Sequence, residues 1–312
     1  MKHFPSLFSV RLQKKLPSEK EIFIIMSILF DGLSLGAIYA LIALGYTMVY
    51  GIAKMLNFAH GDIIMVGAYT VFVALMSGGH IALAIIVSVL LCVVMGVIVE
   101  KFAYKPLRGA SPLAVLITAI GVSYLLQSVS QLIFGAAPKQ VTIASLGAIE
   151  LFGAKISVSS IVTLVIGAVI MAGLTVFVKY TRTGRAMVAV SEDKGAAMLM
   201  GINVNKIISI TFAIGSALAA AASLFYLMQI PSVEPTLGSM PGIKAFTAAV
   251  IGGIGSIPGA MIGGVLLGVI EKVCLSIPVL APYTTAVEFG LLIIILLVRP
   301  IGLLGKKRRE KV

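Results

Sequence analysis

Eight apolar blocks, roughly 22–50, 61–78, 81–99, 113–134, 158–178, 207–228, 245–271 and 284–298, leave this chain few ways to fold. Runs of 18 or more apolar residues recur, and each can carry a helix across about 30 Å of hydrocarbon. A soluble core does not need so much apolar surface: 59% of the 312 residues are hydrophobic, 12% are charged, and the mean hydropathy is +1.11. Spans of a β-barrel would instead alternate over segments of about 10 residues. The sequence therefore predicts an all-α polytopic membrane protein.

The net charge of +12 would suit a nucleic-acid partner if it formed a patch. Its distribution says otherwise. Four segments, 1–21, 100–112, 179–206 and 299–312, hold 19 of the 24 basic residues, and the remainder carries five bases against six acids. Basic residues gathered into a few loops and both tails are the positive-inside signature of cytoplasmic segments. The run Lys306-Lys307-Arg308-Arg309 reads as a topological anchor, and no nucleic acid is expected as a partner.

One crossing per block, begun from a cytoplasmic N-terminus, would put 100–112 and 179–206 outside, although both are basic. The conflict disappears if two blocks are each broken into a pair of segments. The first block has 29 residues and carries Gly45 and Gly51; the seventh is interrupted by Gly252-Gly253-Ile254-Gly255-Ser256-Ile257-Pro258-Gly259. Ten membrane-inserted segments, including broken helices of the kind transporters use at their binding sites, then place both termini and all four basic regions in the cytoplasm. Residues 135–157, 229–244 and 272–283 face outward, the first as a small folded loop. The expected division is a basic N-terminal segment 1–21, a transmembrane domain 22–304 and a basic tail 305–312. The apolar run that opens at Ile22 is too long for a signal-peptide core and reads as a retained first helix. Cys92 and Cys274 lie in apolar surroundings without metal-ligand spacing and are expected to be packing residues.

The longest polar interruption runs from Lys179 to Lys206, with five bases (Arg185 among them) against two acids, Glu192 and Asp193. It holds a short helix candidate, in which Ser191 can cap, Glu192 and Asp193 meet the positive end of the dipole, and Gly201 closes. Asn57-Phe58-Ala59-His60-Gly61-Asp62 is the most unusual polar cluster among apolar flanks. Asn57 can cap a helix starting near His60, with Asp62 complementing the dipole. Alternatively, Asn57, His60 and Asp62 line a solute path, satisfy a broken helix end or bond between helices. The remaining histidines, His3 and His80, belong to a tail and a loop, so no metal site is expected.

The glycine-rich stretch containing Gly252, Gly253 and Gly255 lacks the Gly-Lys-Ser/Thr ending of a phosphate loop, so the chain has no ATPase of its own. Gly255, Gly259 and Gly263 are spaced for close helix packing in lipid. Glu271 and Lys272 read as interfacial, by snorkelling, and Glu288 lies near a helix end. No Ser/His/Asp set, paired acids or Cys/His site supports an intramembrane enzyme, and a transport component is the better class. An ATPase-independent channel or enzyme acting at Asn57–Asp62 is the competing class.

Gly32 to Ala68, the Gly-Arg-Ala and Met-Gly-Ile-Asn pieces of residues 184–206, and Gly242 to Gly264 together resemble the branched-chain amino acid permeases of bacterial ABC importers, in particular the H-type partner of the H/M pair. The similarity runs in order from about residue 28 to 304. Within it, Ala196 to Gly201 resembles the coupling loop of such importers, with Gly195 where the family pattern has Glu. The resemblance implies a half-transporter of the bacterial inner membrane, paired with an M-type homologue. Two cytoplasmic ATPase subunits, using ATP and Mg, would dock on Arg185, Glu192, Asp193, Ala196, Ala197 and Gly201. A periplasmic binding protein would deliver leucine, isoleucine or valine. Related permeases move urea, short amides or other carboxylates, and those solutes stay open here.

Overall fold

A computed structural model describes residues 19–143, 146–151 and 153–305. The helices are α1 (Glu19–Ala53), α2 (His60–Met76), α3 (Ile81–Val99), α4 (Pro112–Phe134), α5 (Val158–Tyr180), α6 (Arg182–Glu192), α7 (Lys194–Leu199), α8 (Val204–Gln229), α9 (Ser239–Gly252), α10 (Ile257–Ser276) and α11 (Thr284–Val298). Four short strands join them: β1 (Lys139–Gln140), β2 (Ala148–Leu151), β3 (Ala154–Ser157) and β4 (Ser232–Val233). Among the described residues, seven helices are long and apolar enough to cross a membrane; α2, with 17 residues, and α9, with 14, are shorter. Of the expected tails 1–21 and 305–312, residues 1–18 and 306–312 lie outside the described residues.

The chain wraps around α1. From Ile38 to Leu44 every side chain of α1 is buried, with α8, α9 and α10 packed around it. In lipid, close backbone approach replaces the hydrophobic drive between helices. Gly36 and Ala40 of α1 meet Gly264, Val265 and Gly268 of α10 along such a seam, where an added Cβ at Gly36 would lie 2.7 Å from Val265 Cα. α3, α4, α5 and α11 sit outside and present large apolar residues such as Leu90, Leu132, Val169 and Leu297 outward, as a lipid-facing surface requires.

The two expected breaks have different outcomes. The first block does not break: α1 is one helix of 35 residues through Gly45 and Gly51. A glycine inside a helix costs only about 1 kcal/mol, and here the missing side chains admit neighbours. The His60 ring occupies the space beside Gly45, and Gly51 faces Gly255. The seventh block does break, between α9 and α10. Gly253 and Gly255 adopt φ of 108° and 92°, which side-chain-bearing residues rarely tolerate. Ser256 then starts α10, its hydroxyl accepting from the Gly259 amide at 3.3 Å. The freed end of α9 is satisfied by the returning C-terminal strand of backbone, with Leu303 and Leu304 amides donating to Ile251 and Gly252 carbonyls at 2.8 and 2.9 Å.

Because α1 is unbroken, its ends lie at opposite ends of the bundle. Near its start, Phe23 packs on Gly153 and the Ser27 hydroxyl donates to the Lys155 carbonyl at 3.2 Å, beside the β2–β3 hairpin. At its finish, Lys194 Nζ donates to the Ala53 carbonyl at 2.8 Å. The ten-segment expectation put the start of the first helix on the same side as 179–206; the continuous helix separates them. The described residues of 135–157 form a small folded unit. β2 and β3 pair antiparallel, Ile149 opposite Ile156, and β1 pairs with β4, Lys139 opposite Val233, tying this loop to the one after α8.

Candidate functional site

At the end of the bundle where α1 finishes, α6 begins at Thr181, whose hydroxyl accepts from the Gly184 amide at 2.9 Å, and buries Gly184, Met187 and Val190. Arg185 is on the exposed side. The expected cap is displaced by two residues. Ser191 lies in the last turn of α6, donating to the Val188 carbonyl at 2.7 Å, and Glu192 ends that helix. Asp193 caps α7 instead, its carboxylate accepting from the Ala196 amide at 2.9 Å. The reason is the extended backbone of Asp193, φ −151° and ψ 114°, which is the conformation an N-cap needs.

α7 then divides its alanines: Ala197 is buried and Ala196 exposed. Gly201, at φ 77°, ends the turn. Met198, Leu199 and Met200 project from this tip, Leu199 at 90% exposure. Behind it lies a cavity of about 510 Å³, lined by Arg108, Lys194, Ile202, Asn205 and Ile208 among others. Arg108 reaches both Glu100 and Asn205, and Glu100 also accepts from the Ser209 hydroxyl at 2.7 Å. Burial, and the charge of Arg108 after it, push the Lys194 ammonium pKa below the usual lysine value.

Inside the bundle the polar cluster separates. Asn57 does not cap α2; Ala59 precedes that helix without a side-chain cap. Asn57 instead accepts from the Tyr104 hydroxyl at 2.7 Å, fastening the α1–α2 link to the π turn Glu100–Tyr104 that ends α3. His60 meets the Tyr46 ring edge-on, centroids 4.8 Å apart. Asp62, by contrast, lines a cavity. It is 2% exposed, and Oδ1 accepts from Gln127 Nε2 at 2.9 Å. Gln127 Nε2 also lies 3.2 Å from the hydroxyls of Ser123 and Ser239. The cavity, of about 300 Å³, is lined from α1, α2, α4 and α9, by Tyr46, Asp62, Gln127 and Ile243 among others. Gly61 of α2 and Gly238, just before α9, let those two helix starts touch, a Cβ on Gly61 falling 2.5 Å from the Gly238 carbonyl. Gly252, Gly253 and Gly255 lie elsewhere, near the end of α1, where Gly255 faces Gly51.

A second interior group contradicts the interfacial reading of Glu271. Lys244, expected in an outward loop, is buried in α9, 2.7 Å from Glu271 and 3.3 Å from Glu288. The Tyr39 hydroxyl donates to Glu271 at 2.7 Å. Four helices, α1, α9, α10 and α11, thus meet in one buried ionic knot. Two signals for these groups were available in the sequence: Ser123 and Gln127, one helical turn apart in an apolar block, and a lone Lys with two acids inside apolar surroundings.

Against known proteins, residues 28–296 match the family described as branched-chain amino acid transport system, permease component. The chain belongs to that family. It is 44% identical over 308 residues to BraD of Pseudomonas aeruginosa, a high-affinity branched-chain amino acid transport system permease protein, covering 94% of this chain and 99% of that protein. To LivH of Escherichia coli K12, which carries the same description, it is 43% identical over 300 residues, covering 91% and 96%. Among solved structures, a metal-chelate type ABC transporter in an inward-facing conformation aligns at a TM-score of 0.52 and 14% identity, covering 91% of each chain. That likeness is one of fold.

Proposed function

We propose that this chain is the membrane-spanning permease subunit of an ATP-driven importer for branched-chain amino acids. The similarity along nearly the whole length to permeases of high-affinity branched-chain amino acid transport carries this reading. In it, the chain is a transport subunit without enzymatic activity, and separate ATPase subunits hydrolyse ATP with Mg. The M-type permease homologue completes the pathway. The apolar tip Met198–Met200 and the exposed Ala196 and Arg185 seat one ATPase, the coupling end faces the cytoplasm of a bacterial inner membrane, and the hairpin end receives a periplasmic binding protein.

The geometry supports alternating access through α7. An exposed apolar tip on a capped helix is costly in water and is relieved by a partner surface. Lys194 links the same helix directly to the end of α1, so displacement of α7 pulls on the central helix of the bundle. The break between α9 and α10 gives the opposite wall a place to flex.

The test is co-purification with the ATPase, M-type and binding-protein candidates, followed by leucine uptake into proteoliposomes. Uptake that needs ATP and the binding protein, and that isoleucine and valine compete, is expected. A stable complex that moves urea or short amides instead of leucine would transfer the solute assignment. Failure to bind any ATPase would remove the importer reading.

A further inference from the structure

We propose that the cavity at Asp62 holds the solute's α-ammonium group during passage, with the Asp62 carboxylate as its counter-charge. The proposal rests on the importer reading and names the group of the solute that this cavity recognises.

The argument begins with an uncompensated charge. Asp62 is almost wholly buried, yet the groups that hold it are neutral: the Gln127 amide and the Ser123 hydroxyl. Among the described residues, no Lys, Arg or His side chain lies within ion-pair distance of it. Lys244 of α9 is committed to Glu271 and Glu288, and Arg108, in the link before α4, is committed to Glu100. From α1 and α4 the cavity receives Tyr46 and Tyr124. A carboxylate in apolar surroundings is expensive unless a cation and hydrogen bonds satisfy it. A resident lysine would do so permanently. A solute that carries its own ammonium does so only while it is there, which suits a station that must also release.

Shape agrees with charge. Small-molecule pockets start near 300 Å³, and this one is at that lower end, about the size an amino acid needs. Its polar groups converge on one side, Asp62, Gln127 and Ser239. Phe58, Ile120 and Ile243 supply apolar wall for a branched aliphatic side chain. Gln127 orients the carboxylate by donating to it. The helix starts at Gly61 and Gly238 that bound the site are in van der Waals contact without side chains between them, so a small separation of α2 from α9 opens it.

The experiment uses the assembled complex carrying Ser239→Cys, a half-buried position lining the cavity; the native Cys92 and Cys274 are buried. A small methanethiosulfonate reagent labels the introduced thiol in the presence of leucine, isopentylamine, which lacks the carboxylate, or 4-methylpentanoate, which lacks the amine. Leucine and isopentylamine are expected to slow labelling, and 4-methylpentanoate to leave it unchanged. Asp62→Asn is expected to abolish protection by isopentylamine and to cut leucine uptake by on the order of tenfold or more, with Asp62→Glu recovering part of it. Protection by 4-methylpentanoate equal to that by leucine overturns the proposal, and so does wild-type uptake in Asp62→Asn. If Asp62→Asn fails to assemble, the three-compound comparison in the Ser239→Cys complex decides alone. A wild-type complex that imports no leucine, but whose thiol isopentylamine still protects, would remove the leucine reading and leave the ammonium site standing.

Discussion

At Lys244 one ammonium lies between two carboxylates, the buried Glu288 and the partly buried Glu271. A buried pair is weak evidence of net stabilisation, because desolvation offsets attraction, but removal of one partner exposes the full penalty. Lys244→Met is therefore expected to destabilise the subunit by about 3–5 kcal/mol, measured as a lower midpoint of thermal unfolding in detergent. Adding Glu271→Gln and Glu288→Gln to that variant should recover part of the loss. A Lys244→Met protein as stable as wild type would mean that the knot is electrostatically idle. The Asn57–Tyr104 bond belongs to the same scale. Tyr104→Phe leaves the Asn57 carbonyl oxygen buried without its donor and is expected to cost about 1–3 kcal/mol by the same measurement.

At the scale of the element, α7 is six residues long and owes its existence to its ends. Asp193→Ala removes the cap and should cost about 0.5–2 kcal/mol of local stability, visible as faster amide exchange in 194–199. Gly201→Val places a β-branched residue at φ 77°, and Ala197→Asp puts a charge where α7 packs against the bundle. Both are expected to uncouple ATP hydrolysis from leucine uptake while the subunit still inserts. Unchanged uptake in both would take the coupling role away from α7. These elements were partly legible in advance. Gly201 and the glycine-rich interruption of the seventh block announced a turn, because only glycine accepts those φ values cheaply. Ser191 and Asn57 misled because a capping residue type is not a cap until the backbone beside it is extended.

For the whole molecule, the continuous α1 makes a topological statement. Its first turns and the α7 tip belong to opposite faces, so a cysteine at Ile25 and one at Met198 should be labelled from opposite sides of sealed membrane vesicles. Labelling of both from one side would mean that α1 breaks in the bilayer, as the parity of basic loops had suggested. Parity counts crossings correctly only when every apolar block is correctly called broken or whole, and that depends on what stands beside its glycines.

Hydrophobic length by itself determined the helical membrane class and the approximate spans, since burying a backbone in hydrocarbon leaves a helix as the economical choice for runs of that length. Motif order identified the permease family. Only the tertiary structure decided which polar residues act together. Asp62 meets Gln127 across 65 positions of sequence, and Lys244 meets Glu288 across 44. Such pairings depend on which helices touch, and the touching faces are set by shape, through Gly36 against Gly264 and Gly61 against Gly238, where a missing side chain has no hydropathy to read.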